Sequence, residues 1–103
     1  LHEIKNGHLK LHPQLQYFSG HGNDLTYLDS NLFSDNPEMI YVNFASNKIT
    51  NIGIDFIKNL PKIKMGIFFN NPCISMIIHI QEEISKFEMI VHKTCPPTAE
   101  MLK

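Results

Sequence analysis

The 103 residues fit one domain, and 43% hydrophobic against 18% charged residues is enough apolar material for a buried core. Nine basic and ten acidic side chains nearly cancel and do not cluster, which argues against binding to nucleic acid or to an anionic membrane. The densest apolar run, residues 74–80, is too short to cross a membrane, so we predict no membrane insertion.

The chain starts at Leu1 without a charged or apolar leader, and we expect that a preceding segment has been removed or left out. From there a repeating step organises the sequence. Asparagine and proline both recur every 24 residues, at Asn23, Asn47 and Asn71 and at Pro13, Pro37 and Pro61. Residues 14–37 and 38–61 are then full segments, and residues 1–13 and 62–73 are partial ones. Two residue types that share one period indicate an internal repeat.

Apolar residues fall in matching columns of this repeat. The columns are Leu15, Met39 and Ile63; Phe18 and Val42; Leu25 and Ile49; and Leu28 and Ile52, with Leu1 and Ile4 in the two late columns of the first partial segment. The alternation of inward Val42 and Phe44 with outward Tyr41 and Asn43 predicts a short strand in each segment. The asparagine that follows is expected to hydrogen-bond backbone groups that lack a sheet partner, so Asn23, Asn47 and Asn71 are predicted to form a ladder.

This combination resembles the animal leucine-rich-repeat family, whose pattern is LxxLxLxxNxLxxL followed by a phenylalanine and then LP. Residues 28–39, LDSNLFSDNPEM, place Phe33 at the family's buried phenylalanine, with Ile57 as its equivalent in the next repeat. The pattern departs at Gly20 and Gly66, where the family has core leucines. The resemblance implies an α/β leucine-rich-repeat solenoid, with a short parallel β-sheet on a concave face and an irregular or 3-10 convex side. Residues 1–73 are then the repeats, and residues 74–103 are a C-terminal α-helical cap and tail.

The 24-residue step ends after Pro72, and a helical pattern replaces it. We expect Ser75 to be the N-cap of a helix that runs to about Lys93 and is stopped by Pro96 and Pro97. One apolar face would cover the end of the repeats, and it consists of Ile77, Ile80, Ile84, Phe87 and Val91. A second apolar face leaves open that the helix binds a partner helix or a second copy, and it consists of Met76, Ile78, Met89 and Ile90.

Cys73 and Cys95 alone allow one disulfide, two free thiols or part of a metal site. A zinc site that adds His79 and His92 is disfavoured, because thirteen residues of helix would separate the two histidines by about 20 Å. In the resembled family, cysteines at the C-terminal flank form a disulfide. The resemblance therefore implies a Cys73–Cys95 bond and, with it, an extracellular location. We predict no metal and no cofactor.

No nucleophile motif, glycine-rich phosphate loop or paired carboxylates are recognisable, so we predict that the chain is not an enzyme. The resemblance implies instead that outward strand residues bind a partner: Tyr17, Ser19, His21, Tyr41, Asn43, Ala45, Met65, Ile67 and Phe69. Tyr17 and Tyr41 lie in register and are the predicted anchor. His21 beside them suggests that binding depends on pH.

The apolar strip of Met65, Ile67 and Phe69 has three interpretations. It binds an external partner, it is covered by Met101 and Leu102 folding back, or it holds a small apolar ligand. We predict a non-enzymatic protein-binding module of a secreted or cell-surface protein, in a family some of whose members act in innate immunity. The alternative is an assembly protein that dimerises through the C-terminal helix.

Overall fold

A computed structural model describes residues 9–102 of the chain, without the side chains of residues 80–82 and 102. The strands are β1 (Tyr17–Ser19), β2 (Tyr27–Leu28), β3 (Tyr41–Asn43), β4 (Asn51–Ile52), β5 (Met65–Ile67) and β6 (Ile77–His79). Helix α1 (Ile80–Thr94) follows β6, and a 3-10 turn (Glu100–Leu102) lies near the C-terminus.

The strands form two sheets whose parallel pairs keep the 24-residue step. The larger sheet has the order β1-β3-β5-β6, and the smaller one pairs β2 with β4. Tyr17 lies opposite Tyr41, and Tyr41 lies opposite Met65, in parallel pairs. Strand β6 runs antiparallel to β5, with His79 opposite Met65. The series of parallel strands therefore ends at β5.

The predicted leucine-rich-repeat solenoid is wrong. Residues 9–102 form a compact α/β unit with extents of 32 × 30 × 29 Å, in which no solenoid is evident. The expected irregular convex side is replaced in part by the second parallel sheet, and antiparallel β6 occupies the position beside β5. The three parallel strands β1, β3 and β5 end at an antiparallel strand and therefore do not continue into an elongated stack of repeats. The division at residue 73 stays a prediction, and Leu1 and Ile4 lie outside the described residues.

Small and large inward residues lie next to each other at the ends of β1 and β5. Where Gly20 replaces an expected leucine, a Cβ atom would lie 3.3 Å from the Phe18 ring, and at Gly66 it would lie 2.7 Å from the Phe68 ring. Phenylalanine rings therefore fill the space that the glycines leave. The rings of Phe18, Phe44, Phe68 and Phe87 follow one another at centroid distances of 5.7, 6.0 and 4.9 Å. This aromatic row joins the larger sheet to α1, and its separations are typical of favourable ring contacts.

Buried asparagines connect each strand with the chain one repeat earlier. Asn47 donates from Nδ2 to the carbonyls of Gly20 at 2.9 Å and Phe44 at 3.0 Å, and its Oδ1 accepts from the Leu25 N–H at 3.1 Å. Asn71 repeats this arrangement one step later, with its Oδ1 accepting from the Ile49 N–H. Asn23 has local contacts only among those observed, to the carbonyls of Gly20 and His21.

The helix begins later than the sequence predicts. Ser75 is not its N-cap, because the Ser75 hydroxyl accepts a hydrogen bond from the Asn70 N–H at 3.0 Å. Residues 77–79 pair with β5 instead, and α1 starts at Ile80, where the Glu83 carboxylate accepts from the His79 N–H at 3.1 Å. The end of α1 at Thr94 agrees with the expected stop before Pro96 and Pro97.

A disulfide ties the end of α1 to the segment after β5. Cys73 and Cys95 are bonded across 22 residues, so neither offers a thiol for the zinc alternative. The chain after α1 then lies beside β4, where the Cys95 carbonyl accepts from the Ile52 N–H at 3.0 Å and the Pro96 carbonyl accepts from the Asn51 side chain at 2.8 Å. The disulfide therefore holds a segment that bridges α1 and β4.

Candidate functional site

The outward surface of the larger sheet, called the sheet face here, brings most of the predicted binding residues together. Strand pairing places them in two rows: Tyr17, Tyr41, Met65 and His79 in the first, and Ser19, Asn43, Ile67 and Ile77 in the second. Past the strand ends, backbone hydrogen bonds continue from Gly22 to Ala45 and from Ser46 to Phe69. The face is thus a continuous surface across four strands.

Tyr17 and Tyr41 form an aromatic pair at the β1 side of the sheet face. Their ring centroids are 6.1 Å apart, and the Tyr17 side chain is 64% exposed. The Asn43 amide lies 3.4 Å from the Tyr41 hydroxyl, and its Oδ1 accepts from the Ala45 N–H at 2.9 Å. Asn43 is therefore anchored on the backbone and orients the Tyr41 hydroxyl, which leaves Tyr17 as the more accessible ring.

The opposite side of the sheet face is apolar. Phe69 is 45% exposed and Ile77 is 36% exposed, while Met65 and Ile67 between them are half-buried. Ala45, predicted to point outward, is buried. The exposed His21 lies beyond β1, where its backbone N–H is 3.4 Å from the Ser19 hydroxyl. The face therefore changes from polar and aromatic at β1 to apolar at β5 and β6.

Sequence reasoning missed two residues of this face. The helical spacing of the isoleucines from Ile77 onward predicts a helix that includes Ile77 and His79, but both residues lie on β6, with Ile78 facing inward. A weak sequence signal for the strand exists, because polar Ser75 and His79 alternate with apolar Ile74, Met76 and Ile78, but apolar Ile77 interrupts the alternation. Helical and strand periodicities are ambiguous over so short an apolar run.

Two other expectations about surfaces are wrong. Ile78 has no exposed surface, so it does not belong to a second apolar face of the helix; of the four residues predicted there, Met89 is the exposed one, at 74%. Met101 does not cover Met65, Ile67 and Phe69, because it lies beside Tyr27 and Asn51 of the smaller sheet. The side chain of Leu102 lies outside the description.

A second concave surface, called the helix groove here, lies between α1 and the loop after β4. It has a volume of about 620 Å³, and its walls include Ile54, Asp55 and Lys58 on the loop and Glu88 and Met89 on the helix. One Glu88 oxygen is buried without a hydrogen-bond partner in the described structure. Burial raises the pKa of Glu88, as does the nearby Asp55 carboxylate, while Lys58 and the backbone of Asp55 and Ile57 lower it by less.

We expect Glu88→Gln to stabilise the protein at neutral pH, by less than about 1 kcal/mol because solvent screens this half-buried group. A folded-state pKa above the ordinary 4.5 means that folding favours the protonated carboxyl. The contribution of Glu88 to the free energy of unfolding is then most favourable below pH 4.5 and is lost as the pH rises through the folded-state pKa. Urea unfolding at pH 7 and at an acidic pH measures the effect. The increase in the free energy of unfolding of the glutamine variant over the wild type should be larger at pH 7 than in acid. A gain of the same size for Asp24→Asn, an exposed carboxylate away from the groove, would contradict this explanation.

No group of three or more histidine, cysteine, aspartate or glutamate side chains comes together as a metal site within the part of the chain that the structure describes. In the same part, no helix has the length and apolar character needed to cross a membrane. Comparison with models of known protein families and with curated proteins gave no significant match for the chain.

Proposed function

We propose that this chain is a non-enzymatic module that binds a protein partner on the sheet face, with Tyr17 and Tyr41 as the anchor. The observation that carries the proposal is the exposure of Tyr17 beside a second tyrosine, on a surface that continues into exposed Phe69 and Ile77. Aromatic residues are enriched and charged residues depleted in the centre of protein interfaces. Tyrosine is also frequent among the few residues that dominate binding energy.

The residue types on the sheet face favour a protein partner over other ligands. The described residues of the face include no lysine, aspartate or glutamate, and the chain as a whole is nearly neutral. Binding to nucleic acid depends on cations that neutralise phosphates, which this surface lacks. An exposed apolar strip next to hydrogen-bonding groups is instead typical of surfaces that another protein covers.

The proposed setting is extracellular. A Cys73–Cys95 disulfide is compatible with an oxidising compartment, where such bonds form and persist. The extracellular location and the kinship with leucine-rich-repeat proteins remain proposals, and a role in innate immunity rests on that sequence resemblance alone.

The proposal is tested by replacing Tyr17 with the photo-crosslinking residue p-benzoylphenylalanine. The matched control carries the same residue at Tyr27, an exposed tyrosine of the smaller sheet. Both proteins are kept with the disulfide intact. They are incubated with extracellular fluid and intact cells of the organism that produces the protein, and are then irradiated. We expect a discrete protein adduct at position 17 that excess unlabelled wild type suppresses, and no such adduct at position 27.

The partner identified in this way is then titrated against purified variants by calorimetry. Tyr17→Ala or Tyr41→Ala is expected to weaken binding by about 2 kcal/mol, which is roughly thirtyfold. Leu11→Ser, which removes an 82% exposed apolar side chain elsewhere, should leave the affinity unchanged. Wild-type affinity in both tyrosine variants, or adducts that form only at position 27, would refute the proposal.

A further inference from the structure

The helix groove exposes apolar side chains on both of its walls. Met89 on α1 is 74% exposed, and Ile54 on the loop after β4 is 45% exposed. Single exposed apolar residues are ordinary on protein surfaces. Ile54 and Met89, however, both line one groove of about 620 Å³ and make part of this concave surface apolar. Val91 and Pro97 add apolar lining near the end of the helix.

The charges around the helix groove are of both signs. Asp55 and Glu88 line it together with Lys58, His92 and Lys93. The Lys58 ammonium and the Asp55 carboxylate are 3.9 Å apart, and each side chain is about half exposed. A contact at this distance between exposed groups is weak, so both remain available to an incoming molecule. A surface with this mixture does not select a strongly anionic or strongly cationic ligand.

We propose that the occupant of the helix groove is a second copy of this chain, bound so that Met89 of each copy enters the groove of the other. A two-fold contact requires a surface that is complementary to itself, so that each residue pair occurs twice. The groove meets this requirement in shape, because exposed Met89 lies at the groove of its own molecule. Each copy therefore presents both the side chain that is inserted and the surface that receives it. It also meets the requirement in charge, because the groove carries both signs and a two-fold contact can therefore pair Lys58 or Lys93 of one molecule with Asp55 of the other.

Methionine suits this role because its unbranched, polarisable side chain adapts to irregular apolar surfaces. Met89 is also the exposed large apolar residue of α1 among the side chains described. The buried area is limited to the groove and its rim, so the dimer is expected to be weak and to need high protein concentration. This contact lies away from the sheet face and does not depend on the function proposed for that face.

The test is sedimentation equilibrium of the oxidised protein from about 10 µM to about 1 mM, the range in which weak complexes populate. The average mass of the wild type should rise from 11.9 kDa towards twice that value. Met89→Glu and Met89→Lys should both stay monomeric, because the apolar side chain is lost whichever charge replaces it. Lys86→Glu, on an exposed position of α1 outside the groove, is the matched control and should associate like the wild type.

Three results would overturn the proposal. The first is a wild type that remains at 11.9 kDa throughout this range. The second is association that persists unchanged in both Met89 variants. The third is a set of concentration-dependent amide shifts in nuclear magnetic resonance spectra at Tyr17 and Tyr41 instead of Ile54 and Met89, because this would place self-association on the sheet face. Circular dichroism of each variant confirms that the fold is intact.

Discussion

Replacing Asn47 by alanine should lower the free energy of unfolding by about 3 kcal/mol, whereas Asn23→Ala should cost about 1 kcal/mol or less. Asn47 is buried, and its side chain hydrogen-bonds three carbonyls and the N–H of Leu25. All three carbonyls keep other donors in the variant: the Asn23 side chain for Gly20, the Asn71 side chain for Phe44 and the Gly22 N–H for Ala45. The buried Leu25 N–H has no such substitute, and an unpaired buried donor is costly.

The Asn23 variant is the matched control, because the two residues occupy the same position one repeat apart. Asn23 is only partly buried, and its observed side-chain hydrogen bonds are to carbonyls two and three residues away. Urea unfolding followed by circular dichroism measures both losses. Equal losses for the two variants would mean that the long-range hydrogen bonds of Asn47 do not account for its contribution.

Removing the disulfide should lower the free energy of unfolding by a similar amount. The bond closes a loop of 22 residues, and chain entropy predicts a stabilisation of about 3 kcal/mol. For a domain of this size that corresponds to a decrease in Tm of about 10 to 20 °C. Thermal unfolding of a Cys73→Ala and Cys95→Ala double variant measures the effect, and wild type in reductant should unfold at nearly the same temperature.

The loss of stability on removal of the disulfide should differ between regions of the molecule. Cys95 and Pro96 lie against Ile52 and Asn51, so their segment loses its tether when the bond is absent. Hydrogen exchange should therefore rise more at Ile52 and at the end of α1 than at Leu25, which the Asn47 side chain protects. Identical unfolding temperatures for the oxidised wild type and the double variant would show that the bond contributes nothing.

The part of the structure that could be predicted is the part that the 24-residue step determines. Residues one step apart face each other when strands pair in parallel, so Tyr17 lies beside Tyr41 and Phe18 beside Val42. The inward direction of Val42 and Phe44 followed from period-two alternation, and both are fully buried. These features depend on local spacing, which the sequence states directly.

The rest depended on contacts between distant residues. Whether Ile77 and Ile78 become helix or strand is decided by pairing with Ile67 and Gly66, which local spacing does not encode. The compact arrangement likewise follows from β6 and from a second sheet between β2 and β4. The helix groove was missed because Ile54 and Met89 are far apart in sequence, and only the fold brings them to one cavity.

The absence of lysine, aspartate and glutamate among the described residues of the sheet face has a kinetic consequence. Long-range attraction between charges accelerates encounters and favours correct orientations before contact, and a neutral surface does not provide it. A partner would reach the tyrosines by diffusion alone, and most collisions would not lead to binding because the two surfaces would not be correctly oriented. Differences in affinity between competing partners would then arise chiefly from how slowly each one leaves.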